Sequence, residues 1–239
     1  MYKRVLLKLS GEALKGNQTS SIVDNEKLSS LAQTIKSLHD ANVQVCIVIG
    51  AGNIWRGKIA ADSGLDRVPA DYMGMLGTVI NCVTLSSCLK NNGVDSVVTS
   101  AVPSINGVTE PYSIELADKA MNENKVVFLA GGTGKPYFTT DTAATMRAIE
   151  LNCDAILMGK NGVDGVYTGD PRKNKDAKFI KVITYDEIIK NNLQIMDISA
   201  VQLIQDKNIE IRVFSMDEPK NFLKVASGED IGTTCKKGE

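Results

Sequence analysis

Histidine is almost missing from this 239-residue chain: His39 is the only one. It ends a predicted helix, which argues against a Ser-His-Asp triad, and a single imidazole excludes metal centres built on several. Cysteine is scarce and oddly counted, with Cys46, Cys82, Cys88, Cys153 and Cys235 forming no CxxC pair. Most stand among apolar neighbours and read as reduced core thiols rather than as disulfides or a zinc site. No sign of charge is in excess, since 27 Lys and Arg face 28 Asp and Glu. This argues against a nucleic-acid partner but leaves room for a local anion site. No apolar run approaches the ~20 residues that span a bilayer, and the longest, Val45-Cys46-Ile47-Val48-Ile49, has the length of a buried strand. The first residues, Met1 to Lys8, carry charge inside their apolar stretch and lack the pattern of a signal peptide.

What is present is an alternation of short apolar runs with longer amphipathic ones. The pattern predicts an α/β fold with a parallel sheet covered on both faces. Strands are expected at Val5–Leu9, Val43–Ile49, Ser96–Thr99, Val126–Ala130, Ala155–Met158 and Glu210–Phe214. Helices are expected at Glu26–Asn42, Asp71–Asn91, Ser113–Glu123, Thr140–Asn152, Tyr185–Asn192, Ile198–Lys207 and Pro219–Ala226. In the first helix Leu28, Leu31, Ile35 and Leu38 recur at helical spacing and make one apolar stripe. No repeat, low-complexity segment or linker interrupts the chain, so residues 1–239 read as one domain.

Glycine turns follow the predicted strands at Ser10-Gly11, Gly50-Ala51-Gly52-Asn53, Gly131-Gly132-Thr133-Gly134 and Gly159-Lys160-Asn161-Gly162. Ligands of open α/β sheets bind at the carboxyl ends of strands, and four such turns on one edge suit a large anion approached by backbone N–H groups. Two standard nucleotide motifs are excluded. A Walker loop needs glycine at Leu129 and Ser or Thr at Pro136, and the dinucleotide fingerprint lacks its last glycine after Gly50-Ala51-Gly52.

Lys8 interrupts an apolar strand, where an ammonium is costly unless an anion meets it. It is either a solvated strand end or a phosphate ligand. Arg56, past the second turn, is either a surface residue or a bidentate phosphate donor. Thr140 or Asp141, at the start of a helix, is either a simple cap or part of a site. The Asp-Gly and Asp-Pro pairs of Val163–Pro171 are explained by turn chemistry alone.

Taken together, Lys8-Leu9-Ser10-Gly11-Glu12-Ala13-Leu14, Gly50-Ala51-Gly52-Asn53-Ile54-Trp55-Arg56-Gly57, Asp71-Tyr72-Met73-Gly74-Met75-Leu76, the Gly132–Asp141 segment and Val163-Asp164-Gly165-Val166-Tyr167 resemble the amino-acid kinase family. Met196-Asp197 and Ile211-Arg212-Val213-Phe214 add to the likeness, which closest approaches the branch that phosphorylates UMP. The resemblance implies a three-layer αβα sandwich around a mainly parallel sheet. It also implies transfer of the γ-phosphoryl of ATP, with Mg²⁺, to UMP, in a cytoplasmic homohexamer inhibited by UTP. By that match Lys8, Leu9, Ser10, Gly11, Gly52, Arg56, Asn161, Tyr167 and Asp170 would bind ATP. Ala51, Asp71, Thr133, Gly134, Lys135, Pro136, Tyr137, Phe138, Thr139 and Thr140 would bind UMP. Lys8, Arg56 and Asp141 would be catalytic, Asp141 by orienting Lys8 or Mg²⁺; no metal ligand is assigned directly.

Such a reaction needs no general base. The attacking group is a phosphate whose second pKa is about 6, so the scarcity of histidine is expected. The carboxylate of Asp71 can accept both ribose hydroxyls. Two departures from the family pattern stand out. Ala51 replaces a glycine, which is mild if its φ is negative. Asn17-Gln18-Thr19-Ser20-Ser21-Ile22-Val23 replaces a Gly- and Phe-containing loop linked to GTP activation, and predicts no response to GTP. The same fold with a carboxylate or carbamate acceptor, and a nucleotide sensor without turnover, are the rival readings. Asp71 weighs against the first, and the set Lys8, Arg56 and Asp141 against the second.

Overall fold

The computed structural model describes residues 1–16, 21–57 and 62–238. In chain order its strands are β1 (Arg4–Leu9), β2 (Gln44–Ile49), β3 (Ser96–Ser100), β4 (Glu110–Pro111), β5 (Val126–Ala130), β6 (Ala155–Lys160), β7 (Val166–Tyr167), β8 (Phe179–Ile180), β9 (Val182–Thr184), β10 (Glu210–Ser215) and β11 (Thr233–Lys236). The helices are α1 (Asn25–Asp40), α2 (Arg67–Asn91), α3 (Ile114–Asn122), α4 (Thr140–Glu150), α5 (Tyr185–Lys190), α6 (Ile198–Ile204) and α7 (Asn221–Ala226). A 3₁₀ turn, Gly11–Leu14, follows β1.

Alternation along the buried strands builds the layers. Val5, Leu7 and Leu9 of β1, with Val45, Ile47 and Ile49 of β2, pack with α1, α2 and α7 on one face. Leu6, Cys46 and Val48 point the other way, toward α3, α4, α5 and α6. The result is an αβα sandwich whose nine-stranded sheet runs β4-β3-β5-β2-β1-β6-β10-β11-β9, parallel except where β10 meets β11. β1 pairs β2 from Arg4 opposite Gln44 to Leu9 opposite Ile49, and pairs β6 with Leu7 opposite Leu157. The chain builds outward from β1 on one side and returns to β6 on the other. The strand order therefore reverses at β1, which opens a crevice at the carboxyl ends there.

All six expected strands and all seven expected helices are present, Val126–Ala130 with the ends expected and the others with ends shifted. Four helices stop at an asparagine with positive φ, namely Asn42, Asn124, Asn152 and Asn192, because its short polar side chain tolerates the left-handed conformation better than most. Helix α2 begins at Arg67, four residues before the sequence reading placed it. Pro69 sits in its first turn, where no backbone N–H is needed. Strands β4, β7, β8, β9 and β11 were not legible. Most are two or three residues long and exist only through pairing with distant partners.

By length and composition α2 is apolar enough to cross a membrane, yet half of that stretch is buried in the protein. Its inward face carries the polar Thr78, Asn81 and Ser86. It is a core helix.

Candidate active site

The four glycine turns lie at the carboxyl ends of β1, β2, β5 and β6, neighbours in the sheet. Contact between the first two is tight. A Cβ on Gly11 would come within 2.4 Å of Asn53 Oδ1 and 2.6 Å of the Gly50 carbonyl, so only glycine fits. Gly134 has φ +77° and presses on the Ala101 carbonyl, where a Cβ would stand at 2.5 Å. Ala51 is not among the residues with positive φ, and Gly77 of α2 makes room for its methyl, since a Cβ there would lie 2.8 Å from it.

Helix α2 grips two of the turns from below. Asn81, fully buried, donates to the Gly50 carbonyl at 2.8 Å and exchanges amide hydrogen bonds of 2.8 and 3.0 Å with Asn53. Asn53 also donates to the Ile22 carbonyl at 2.7 Å. Three residues before Asn81, the Thr78 hydroxyl accepts the Gly131 N–H at 2.9 Å.

Lys8 is no solvated strand end. Its ammonium lies 2.5 Å from Asp141 Oδ1, and both side chains are largely buried. Asp141 stands in the first turn of α4, capped by Thr139, so the cap is Thr139 rather than Thr140 or Asp141. The other oxygen of Asp141 accepts the Asp197 N–H at 3.1 Å, and the Thr139 hydroxyl donates to the Asp197 carboxylate. Across the first turn, Arg56 is exposed but tethered. Its Nε donates to the Gly52 carbonyl at 3.0 Å, and its Nη2 pairs with Glu12 of the 3₁₀ turn.

A cavity of about 290 Å³ has a lining that includes Ala51, Asp71, Thr133, Phe138, Thr139 and Thr140, the last two next to Asp141 in the chain. Gly134, Lys135, Pro136 and Tyr137 do not line it. Asp71 accepts Arg67 Nε at 2.8 and 2.9 Å and the Tyr137 N–H at 2.7 Å. Tyr137 has φ +72°, a strained state for an aromatic residue that this hydrogen bond helps to hold.

A second cavity, of about 510 Å³, has Lys160, Tyr167, Asp170 and Asn191–Ile195 in its lining. The segment from Asn192 to Ile195 also lines a cleft that contains Asp141. Arg172 donates to Asp170 through its backbone N–H and its guanidinium at 3.0 and 3.1 Å, and holds that carboxyl below its usual range. Asn161 instead faces a neighbouring cleft with Glu12, Lys15 and Asp217.

The model of the amino acid kinase family matches residues 3–215. The chain belongs to the amino acid kinase family. A curated uridylate kinase from Streptococcus thermophilus is 48% identical over 233 residues, covering 98% of this chain and 94% of that protein. The crystal structure of a UMP kinase from Bacillus anthracis superposes with a TM-score of 0.95 at 41% identity, covering 100% of this chain and 97% of that one. That of a UMP kinase from Ureaplasma parvum gives 0.92 at 39%, covering 99% and 100%.

For this member of the amino acid kinase family, sequence reasoning missed Asp197, which had served only as part of the likeness, and Lys160, which had been read as a turn residue. Asp197 carried no usable signal, because its role arises from a contact with a residue far away in the chain. Lys160 did carry one. Like Lys8, it is a lysine at the end of a buried strand.

Proposed function

We propose that this chain transfers the γ-phosphoryl of ATP to UMP, giving UDP and ADP. The observation that supports the reading is the buried Lys8–Asp141 pair, with one cavity lined by Thr139 and Thr140 next to Asp141 in the chain and another sharing Asn192–Ile195 with the Asp141 cleft; two nucleotides meeting there would do so beside a cation. UMP occupies the Asp71 cavity, with a ribose hydroxyl displacing exposed Arg67 from the carboxylate. ATP lies along Tyr167 and Asp170, its phosphates against Lys8, Leu9, Ser10, Gly11, Gly52 and Arg56.

The γ-phosphorus loses its bond to the β-phosphate oxygen and gains one to a UMP phosphate oxygen. Catalysis is then mainly positioning plus relief of charge repulsion. Asp141 aims Lys8, while Arg56, held by Glu12 and Gly52, reaches the phosphates. Among the described residues no cluster of three or more His, Cys, Asp or Glu forms a metal cage, and both oxygens of Asp141 are already engaged. Mg²⁺ brought in with the nucleotide phosphates would suit this donor set, with Asp141 as the carboxylate that would orient it, and would supply further charge neutralisation.

The likeness to kinases named for UMP, together with Asp71, supports a uridylate acceptor over an amino acid. UTP competes at the UMP cavity. The enzyme is a cytoplasmic homohexamer, and an exposed apolar face on α2 supports assembly. The loop that predicts indifference to GTP includes residues 17–20, which lie outside the described residues.

A coupled ADP-release assay across UMP, CMP and amino-acid acceptors, with and without UTP or GTP, tests the reading. Turnover with UMP, inhibited by UTP and unmoved by GTP, is expected. Turnover with an amino acid and none with UMP overturns it, and several-fold stimulation by GTP overturns the regulatory part.

A further inference from the structure

Lys160 is the last residue of β6. The register places Leu7 opposite Leu157, so Lys8 stands opposite Met158 and Lys160 lies one pleat further toward the rim. All three point to the face covered by α4, the helix that brings Asp141. Two lysines thus converge on the region of Asp141, whose carboxylate already pairs with Lys8 and accepts the Asp197 N–H, while the Asp197 carboxylate accepts the Thr139 hydroxyl. The only hydrogen-bond partner of the Lys160 ammonium among the described residues is the Ile195 carbonyl, at 3.3 Å. Burial pulls its pKa below that of an ordinary lysine, the charge of Lys8 adds to this, and Asp141 opposes it. A half-buried ammonium without a counter-charge is a cost to the free protein. The cavity it lines is also lined by Tyr167 and Asp170, so a triphosphate bound there with its end at Lys8 comes within reach of Lys160.

We propose that Lys160 is a further catalytic cation, which binds the β,γ-phosphate oxygens of the nucleoside triphosphate. It stabilises the charge that builds on the β-phosphate as the bond to the γ-phosphorus breaks. The electron pair of that bond goes to the β-phosphate oxygen, and Lys160 donates a hydrogen bond to it without giving up a proton. The assignment rests on the phosphotransfer reading above.

The test compares wild type with Lys160→Met and Lys160→Arg. The methionine variant is expected to lose about 100-fold in kcat, the scale on which single transition-state donors act. Its affinity for UMP alone, read by calorimetry, should stay within twofold. Its Tm without ligand should match or exceed that of wild type, by up to about 4 °C in a chain of this size. Lys160→Arg keeps the charge and should recover at least tenfold of the lost rate. A kcat within threefold of wild type overturns the proposal. So does a lower Tm with weakened UMP binding, which marks a structural lysine. If wild type itself does not phosphorylate UMP, the acceptor assignment falls, whereas the Tm shift given by MgATP still reports on Lys160. That shift should shrink in Lys160→Met, and an undiminished one overturns the proposal.

Discussion

Lys8 sits in a strand whose other members Val5, Leu6, Leu7 and Leu9 are fully buried, and its ammonium meets Asp141 at 2.5 Å. Such a charge in an apolar run is an anomaly visible without any structure, which is why Lys8 was legible in the sequence. Lys8→Ala should lower turnover by about 10²–10³-fold, while calorimetry finds UMP binding within a few-fold of wild type. Unchanged turnover would refute its assignment. Asp71 was singled out only through the family resemblance, and its engagement with Arg67 and the Tyr137 N–H was not legible at all. Those partners depend on how a loop after β5 folds over α2, and on a strained φ that no propensity predicts for tyrosine.

Helix α2 works on both of its faces. Inward, Asp71, Met75, Thr78 and Asn81 line the cavity or hold the glycine turns. Outward, Val68, Tyr72, Leu76 and Ile80 recur every four residues, and all are more than a third exposed. A ridge of this spacing packs well into the grooves of another helix, and an exposed apolar patch marks an interaction surface. In solution Leu76→Glu combined with Ile80→Glu should shift the protein to a smaller species by light scattering, with its circular dichroism retained. An unchanged mass would show that assembly uses another face. The helix itself was legible from its length and apolar content. Its two-sidedness was not, because the outward stripe is as hydrophobic as the inward one and periodicity alone cannot tell which is covered.

The ends of the chain are joined through Tyr2. Its N–H donates to the Ala226 carbonyl at 2.9 Å, its hydroxyl donates to Glu210, and Arg212 Nη1 donates to it at 3.0 Å. Burial, followed by the hydrogen bond to Glu210, pushes the Tyr2 hydroxyl up to about 12, against an unfolded value of about 10. Between these values the unfolded chain has released a proton that the folded chain keeps. Its contribution to stability is therefore intact below pH 10 and lost as pH rises toward 12. The margin of wild type over Tyr2→Phe in denaturant unfolding should shrink between pH 9 and pH 11. A constant margin would show that the hydroxyl is not held this way.

By itself the sequence determined the layer order, the strand-ending glycine turns and the chemical character of the site. Each of these is written in residues within a few positions of one another, as period-two and helical patterns or as turns that only glycine allows. Only the tertiary structure decided that Lys8 meets Asp141, that Asp197 and Asn81 brace the loops, and that Lys160 is left without a counter-charge. These follow from the reversal of strand order at β1, which brings separate loops to one rim. No local pattern carries the distance between side chains so far apart in the chain.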